Sequence, residues 1–120
     1  MQPDERDAGY LWDMLDSAKT VREFTQGVSY HQYLTDKKMR LAVERAVEII
    51  GEAANKISKE FRDSHSDIPW QKIIKQRHVI VHEYGELEDE LIWKVATVSV
   101  PELIDKLAGL IPPAPPEPET

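Results

Sequence analysis

Apolar residues recur at spacings of three and four along most of this chain. Leu11, Met14, Leu15, Ala18 and Val21 form the first such series, which predicts a long amphipathic helix with Asp7 as its cap and Gly27 as its stop. The stretch SYHQYL, from Ser29 to Leu34, predicts a short turn, after which Asp36 caps a second long helix running from Lys37 to about Phe61. On that helix Ala42, Val43, Ala46, Val47, Ile49, Ile50, Ala53, Ala54 and Ile57 share one broad face, and Glu44, Arg45, Glu48, Glu52 and Asn55 the other. The apolar face is rich in alanine and Gly51 stands at its margin, so a neighbouring element can approach closely.

RDSHSDIPW reads as a loop that restarts a helix, with Pro69 in the first turn, Ser66 or Asp67 as the cap, and Gly85 after Tyr84 as the end. Leu91, Ile92, Val95 and Val98 predict a further helix from about Glu88, which Pro101 kinks or breaks before ELIDKLAGLI resumes as the last one. No strand-like alternation and no internal repeat occur. The pattern predicts an all-α, up-and-down bundle of four to five helices over residues 1–111. Residues 112–120, PPAPPEPET, are expected to form a Pro-rich disordered or extended tail.

Composition narrows the function. At 120 residues, 41% hydrophobic and 31% charged, the chain suits one domain with a modest core, and a second domain does not fit. No run approaches the roughly 18 to 20 apolar residues of a membrane span. The opening MQPDERDAGY lacks both the basic and the apolar parts of a signal peptide, so a cytoplasmic location with no membrane partner is expected. The absence of cysteine excludes a disulfide framework, a thiolate zinc site and a cysteine nucleophile. With 22 acids against 15 bases the net charge is −7, the wrong sign for gripping nucleic acid over a broad basic surface. Any function directed at RNA must rest on a local site.

RHVIVHEYG, starting at Arg77, offers one. Around a helix axis, Ile73 and Ile80 fall to one side of Arg77, Ile74 and Val81 to the other, and Tyr84 nearly in line. Arginine thus stands at the centre of an apolar stripe. A guanidinium cannot escape burial by losing its proton, so it needs a partner or an opening to water. One solution is an ion pair with Glu48 or Glu52, or a stem that is covered while the tip reaches solvent. Another is an anion site, because the fork of N–H donors suits a phosphate.

His78 and His82, four apart, lie at about 100° and 140° from Arg77. Two imidazoles are too few for a closed zinc site, and no HExxH glutamate separates them, so neither a metal nor another cofactor is expected. Breaking RNA without a metal requires a base for the ribose 2′-hydroxyl, a cation for the charge developing on phosphorus, and an acid for the departing 5′-oxygen. Imidazole serves either proton-transfer role near neutrality, and arginine supplies the cation. On one straight helix, however, Arg77 and His82 are separated by about 140° and about 7.5 Å of rise. Two chains packed about a twofold axis through this helix would bring an arginine and a histidine from each into one cleft.

At these residues the sequence resembles the HEPN superfamily, whose ribonuclease members carry an arginine, four to six residues and a histidine. Arg77 and His82 fit with four between them. Tyr84 extends the match to R-x4-H-x-Y, the form found in the HepT toxins that are paired with a minimal nucleotidyltransferase antitoxin. YLWDMLDSA from Tyr10, VEIIGEAANKIS from Val47, IPWQKI from Ile68 and LIWKV from Leu91 agree as well. The resemblance implies a HEPN-like helical homodimer with both motifs facing a shared cleft, and a metal-independent endoribonuclease acting on RNA as the toxin of a toxin–antitoxin pair. It also implies that the partner nucleotidyltransferase, in a complex larger than the dimer, silences the toxin by transferring AMP onto Tyr84. In the family the residue after the arginine is usually asparagine or another polar group. Here it is His78, which either replaces those hydrogen bonds, adds a second imidazole in a supporting role, or weakens catalysis. Two other functions fit the residues: a non-catalytic module whose dimer cleft binds a nucleotide or a nucleotidyltransferase, and a structural dimer in which Arg77 is half of an ion pair.

Overall fold

Asp4, and not Asp7, starts the first helix. In a computed structural model that describes residues 3–82 and 86–111, with residues 77–82 and 86–88 described by their backbone alone, α1 spans Glu5–Thr25. The Asp7 N–H donates to Asp4 Oδ1 at 2.7 Å. Asp7 lies inside the first turn, buried, where its carboxylate accepts from Ser58 N–H at 2.9 Å and from Ser58 Oγ at 2.6 Å. Both aspartates stand at a suitable distance from the apolar series; a tertiary contact takes one and leaves the other as the cap.

The same contact divides the second predicted helix. After α2, Tyr30–Thr35, which Ser29 and Gln32 open with a reciprocal capping box, α3 runs only from Lys37 to Lys56. Ile57 is extended, Ser58 Oγ accepts from Phe61 N–H at 3.2 Å, and α4 covers Lys59–Ser64. Apolar periodicity continues through Ile57 and Phe61, both fully buried, so the sequence pattern alone reads as one helix. Ser58 breaks it because its amide and hydroxyl are drawn to Asp7. Asp36 caps α3 and Gly27, at φ 74°, ends α1 as expected.

Pro101 does not end a helix. α6, Glu86–Lys94, passes through a π turn at Val95–Ser99 directly into α7, Val100–Ala108, with Val100 N–H donating to Val95 O. The extra residue in the wide turn shifts the preceding carbonyls relative to the proline ring, which has no N–H to give and would clash with a regular helix. The helical rod therefore continues across a residue that normally interrupts one.

α5, Trp70–His82, begins one residue after Pro69, whose carbonyl accepts from Ile73 N–H at 3.1 Å. Its start is anchored by Trp70, a buried ring that lies edge-on to Phe61 at 6.5 Å and donates from Nε1 to His65 O at 3.0 Å. All regular structure among the described residues is helical, in four long rods and two short helices. α1 packs along α3, α3 along α5, and the α6–α7 rod closes against α1. Leu11, Met14, Ala18, Val43, Ala54, Ile92 and Leu107 are wholly buried between them. Gly51 is buried in α3, deeper than the margin expected for it. Residues 112–120 lie outside the described residues.

Candidate functional site

Trp70 and Ile73 fix how α5 sits. Both are buried, and both lie on the face of α5 that meets the core. Counting on from them, Arg77 follows Ile73 by four residues and Trp70 by seven, so it occupies the same register on the helix. The backbone thus places Arg77, His78 and His82 on α5. The side-chain arrangement of these three residues, and Tyr84 altogether, lie outside the described residues.

The helices that neighbour α5 are defined. α5 lies along α3 on one side and meets α6 on the other. On α3, Arg45 Nη1 is 3.3 Å from Glu48 Oε1 and 3.4 Å from Glu52 Oε1. The two carboxylates named as partners for Arg77 are therefore bridged by an arginine of their own helix. The i, i+3 spacing of Arg45 and Glu48 made that bridge legible. α6 is held by Trp93, whose ring lies 5.0 Å from Tyr33 and 6.0 Å from Tyr30 of α2. The site helix is thus framed by one helix fixed through its alanine-rich face and another fixed through aromatic contacts.

The exposed side of α5 has its own character. Gln71, Lys72 and Lys75 are exposed and Gln76 is half-buried. None of the chain's 22 Asp and Glu residues lies between Ile68 and His82. Among the described residues no group of three or more His, Asp or Glu side chains could hold a metal ion, and no helix is long and apolar enough to cross a membrane.

Comparison with known proteins completes the assignment. The family profile described as Ribonuclease HepT-like matches residues 14–109, a span that includes α5 and its last turns. The chain belongs to the HepT-like ribonuclease family. It is 37% identical over 94 residues to a Methanocaldococcus jannaschii protein provisionally named an RNase, covering 78% of this chain and 86% of that one. It is 35% identical over 101 residues to a Thermococcus cleftensis protein named "Probable ribonuclease HepT", covering 84% and 92%. A protein of Caldanaerobacter subterraneus, also provisionally named an RNase, is 35% identical over 94 residues, covering 78% of this chain and 84% of that one. No solved structure matches the chain. Membership of this family confirms the HEPN resemblance and supports ribonuclease activity at the level of the family.

Proposed function

We propose that the protein is a metal-independent endoribonuclease, the toxin of a toxin–antitoxin pair, with Arg77 and His82 as its catalytic residues. The observation that carries this reading is the family match across residues 14–109, because the matched span contains Arg77-x4-His82-x-Tyr84. In the reaction, a base removes the ribose 2′-hydroxyl proton and the 2′-oxygen attacks the adjacent phosphorus. The 5′-oxygen then leaves with a proton from an acid, and a 2′,3′-cyclic phosphate remains. His82 transfers the proton, Arg77 balances the charge gathering on the phosphoryl oxygens, and His78 supports the site.

A single α5 separates Arg77 and His82 by about 140°. The site is accordingly proposed to form between two chains about a twofold axis, each contributing both residues to one cleft. Tyr84 is the proposed point of control. A partner nucleotidyltransferase joins its hydroxyl oxygen to the α-phosphorus of ATP, pyrophosphate leaves, and the added AMP occupies the approach to the cleft. A position beside Gly85, where helices commonly end, suits access by a second enzyme.

The test is incubation of purified, unmodified protein with RNA in the presence of a chelator, followed by analysis of the ends formed. Wild type is expected to leave 2′,3′-cyclic phosphates, and Arg77→Ala and His82→Ala to lose at least a hundredfold in rate, the usual scale for removing one proton-transfer or charge-stabilising group. RNA left intact by wild type and Arg77→Ala alike, with AMP or ATP bound by wild type, would replace this reading with the non-catalytic nucleotide-binding module. Intact mass after co-expression with the nucleotidyltransferase tests Tyr84 directly: the added AMP should be absent from Tyr84→Phe.

A further inference from the structure

We propose that the N-terminal half of α5, through Lys72 and Lys75, together with Lys59 and Arg62 of α4, is the track that holds the RNA strand flanking the bond to be cut. This rests on the ribonuclease reading, but it concerns residues that the R-x4-H-x-Y motif does not include. Three independent features of the molecule point to it.

The first is charge segregation. The chain is acidic overall, yet α5 carries Lys72, Lys75 and Arg77 and no carboxylate. One helix of consistent positive sign in an acidic protein marks where a polyanion can approach. The second is that these charges are unspent. Lys72 and Lys75 are exposed, and among the described residues neither is joined to a carboxylate, whereas Arg45 is paired twice. On α4, the buried Nε atom of Arg62 has no hydrogen-bond partner. The third is shape. A surface groove between α4 and α5 is lined by Lys59, Arg62 and Lys72, with Asp63 as its one acid. A second groove beside α6 is lined by Lys72, Lys75 and Gln76. Lys72 and Gln71 belong to both, so the grooves join into one path.

That path leads to the motif. Lys75 precedes Arg77 by two residues and His82 by seven, about 3 Å and 10.5 Å of helical rise. Beyond the motif the chain turns acidic, with Glu86, Glu88, Asp89 and Glu90 opening α6. The charge thus changes sign between α5 and the first turns of the α6 sequence, which marks where the basic stretch ends. Lysines as mobile point charges and glutamine amides suit a backbone contacted without regard to sequence.

The experiment measures binding of a fluorescently labelled single-stranded RNA by full-length His82→Ala protein, in which turnover is blocked, as salt is varied. Adding Lys72→Gln and Lys75→Gln should reduce the slope of log affinity against log salt by about 1.4, from about 0.7 per phosphate contact, and weaken binding about 14-fold at 0.15 M salt. Lys19→Gln with Lys37→Gln removes the same charge from exposed positions on α1 and α3 and should leave the slope unchanged. RNA bound with the same slope after the α5 substitutions overturns the track and leaves the ribonuclease reading standing. So does an equal loss from both lysine pairs, which would assign the effect to net charge. Loss of a co-expressed nucleotidyltransferase from the α5 variant, with RNA binding intact, would make the surface a protein-docking face and also overturn the proposal. Failure of the ribonuclease reading itself looks different: wild type cleaves no RNA, and His82→Ala binds none at any salt. Thermal melting of each variant, expected to match its parent, separates these outcomes from misfolding.

Discussion

Replacing Asp7 by alanine tests a polar contact that joins residues 51 apart in sequence. Its carboxylate is 5% exposed and accepts two hydrogen bonds from Ser58, at 2.9 Å from the amide and 2.6 Å from the hydroxyl. Hydrogen bonds to a charged group contribute about 1.5–3 kcal/mol each. Against this stands the cost of holding a carboxylate away from water, which the substitution removes. The substitution also leaves the half-buried Ser58 amide without its acceptor, at about 1–3 kcal/mol. The balance is a loss of about 3 kcal/mol, or roughly 10 °C in melting temperature for a domain of this size. Ser58→Ala removes the hydroxyl bond and the cap on Phe61 N–H while keeping the amide bond, and should cost about 2 kcal/mol. Because the two substitutions delete a shared bond, the double variant should be more stable than their sum implies by about 1–2 kcal/mol. Urea unfolding followed by circular dichroism, at one fixed protein concentration, measures all four proteins. A loss below about 0.5 kcal/mol for Asp7→Ala, or strict additivity of the pair, would refute the account of why α3 stops at Lys56.

Four further outcomes are expected. Gly9→Ala should stabilise by about 0.5–1 kcal/mol, since Gly9 is inside α1 and nothing outside the adjoining helix backbone and its two chain neighbours comes within 4 Å of the added Cβ. Gly27→Ala should cost about 1 kcal/mol despite equal space, because its φ is 74°; chemical denaturation of the two variants should give opposite signs. Trp70→Phe should cost about 1–2 kcal/mol by losing the Nε1 bond to His65 O and part of the ring, read as a lower melting temperature. Partial desolvation, followed by the proximity of Asp16, raises the carboxyl of the exposed Asp13 above its ordinary value, with Lys56 acting the other way. A raised carboxyl destabilises the fold when ionised, so Asp13→Asn should melt higher than wild type near neutrality. The difference should vanish as pH falls below the ordinary carboxylate range, where Asp13 is protonated in both states; a constant difference across that range would contradict it.

The helix-forming pattern was legible because burial and periodicity are local in this fold. Leu11, Met14, Leu15, Ala18 and Val21 are each at most 4% exposed, so their spacing in sequence maps directly onto one face of α1. The polar signals were less local. Asp4 and Asp7 offer the same chemistry three residues apart, and only Ser58 decides between them. Pro101 predicts an interruption by its missing N–H, yet a π turn two to six residues earlier absorbs it. Of the candidate site, the register of Arg77 with Trp70 and Ile73 followed from counting residues, as did the placement of Arg77, His78 and His82 on one helix. The bridge from Arg45 to both Glu48 and Glu52 was open to sequence only in its i, i+3 half.

By itself, the sequence determined that the chain is helical, which faces of its helices are apolar, and where along them the R-x4-H-x-Y motif falls. These are properties of composition and of a 3.6-residue repeat, and they hold before any helix meets another. Tertiary structure alone decided where α3 breaks, which aspartate caps α1, how the rod crosses Pro101, and that Lys72 joins two grooves into one path. Each of these depends on groups distant in sequence, or on neighbouring turns, competing for the same hydrogen bond, the same space or the same surface, and a periodic pattern contains no record of that competition.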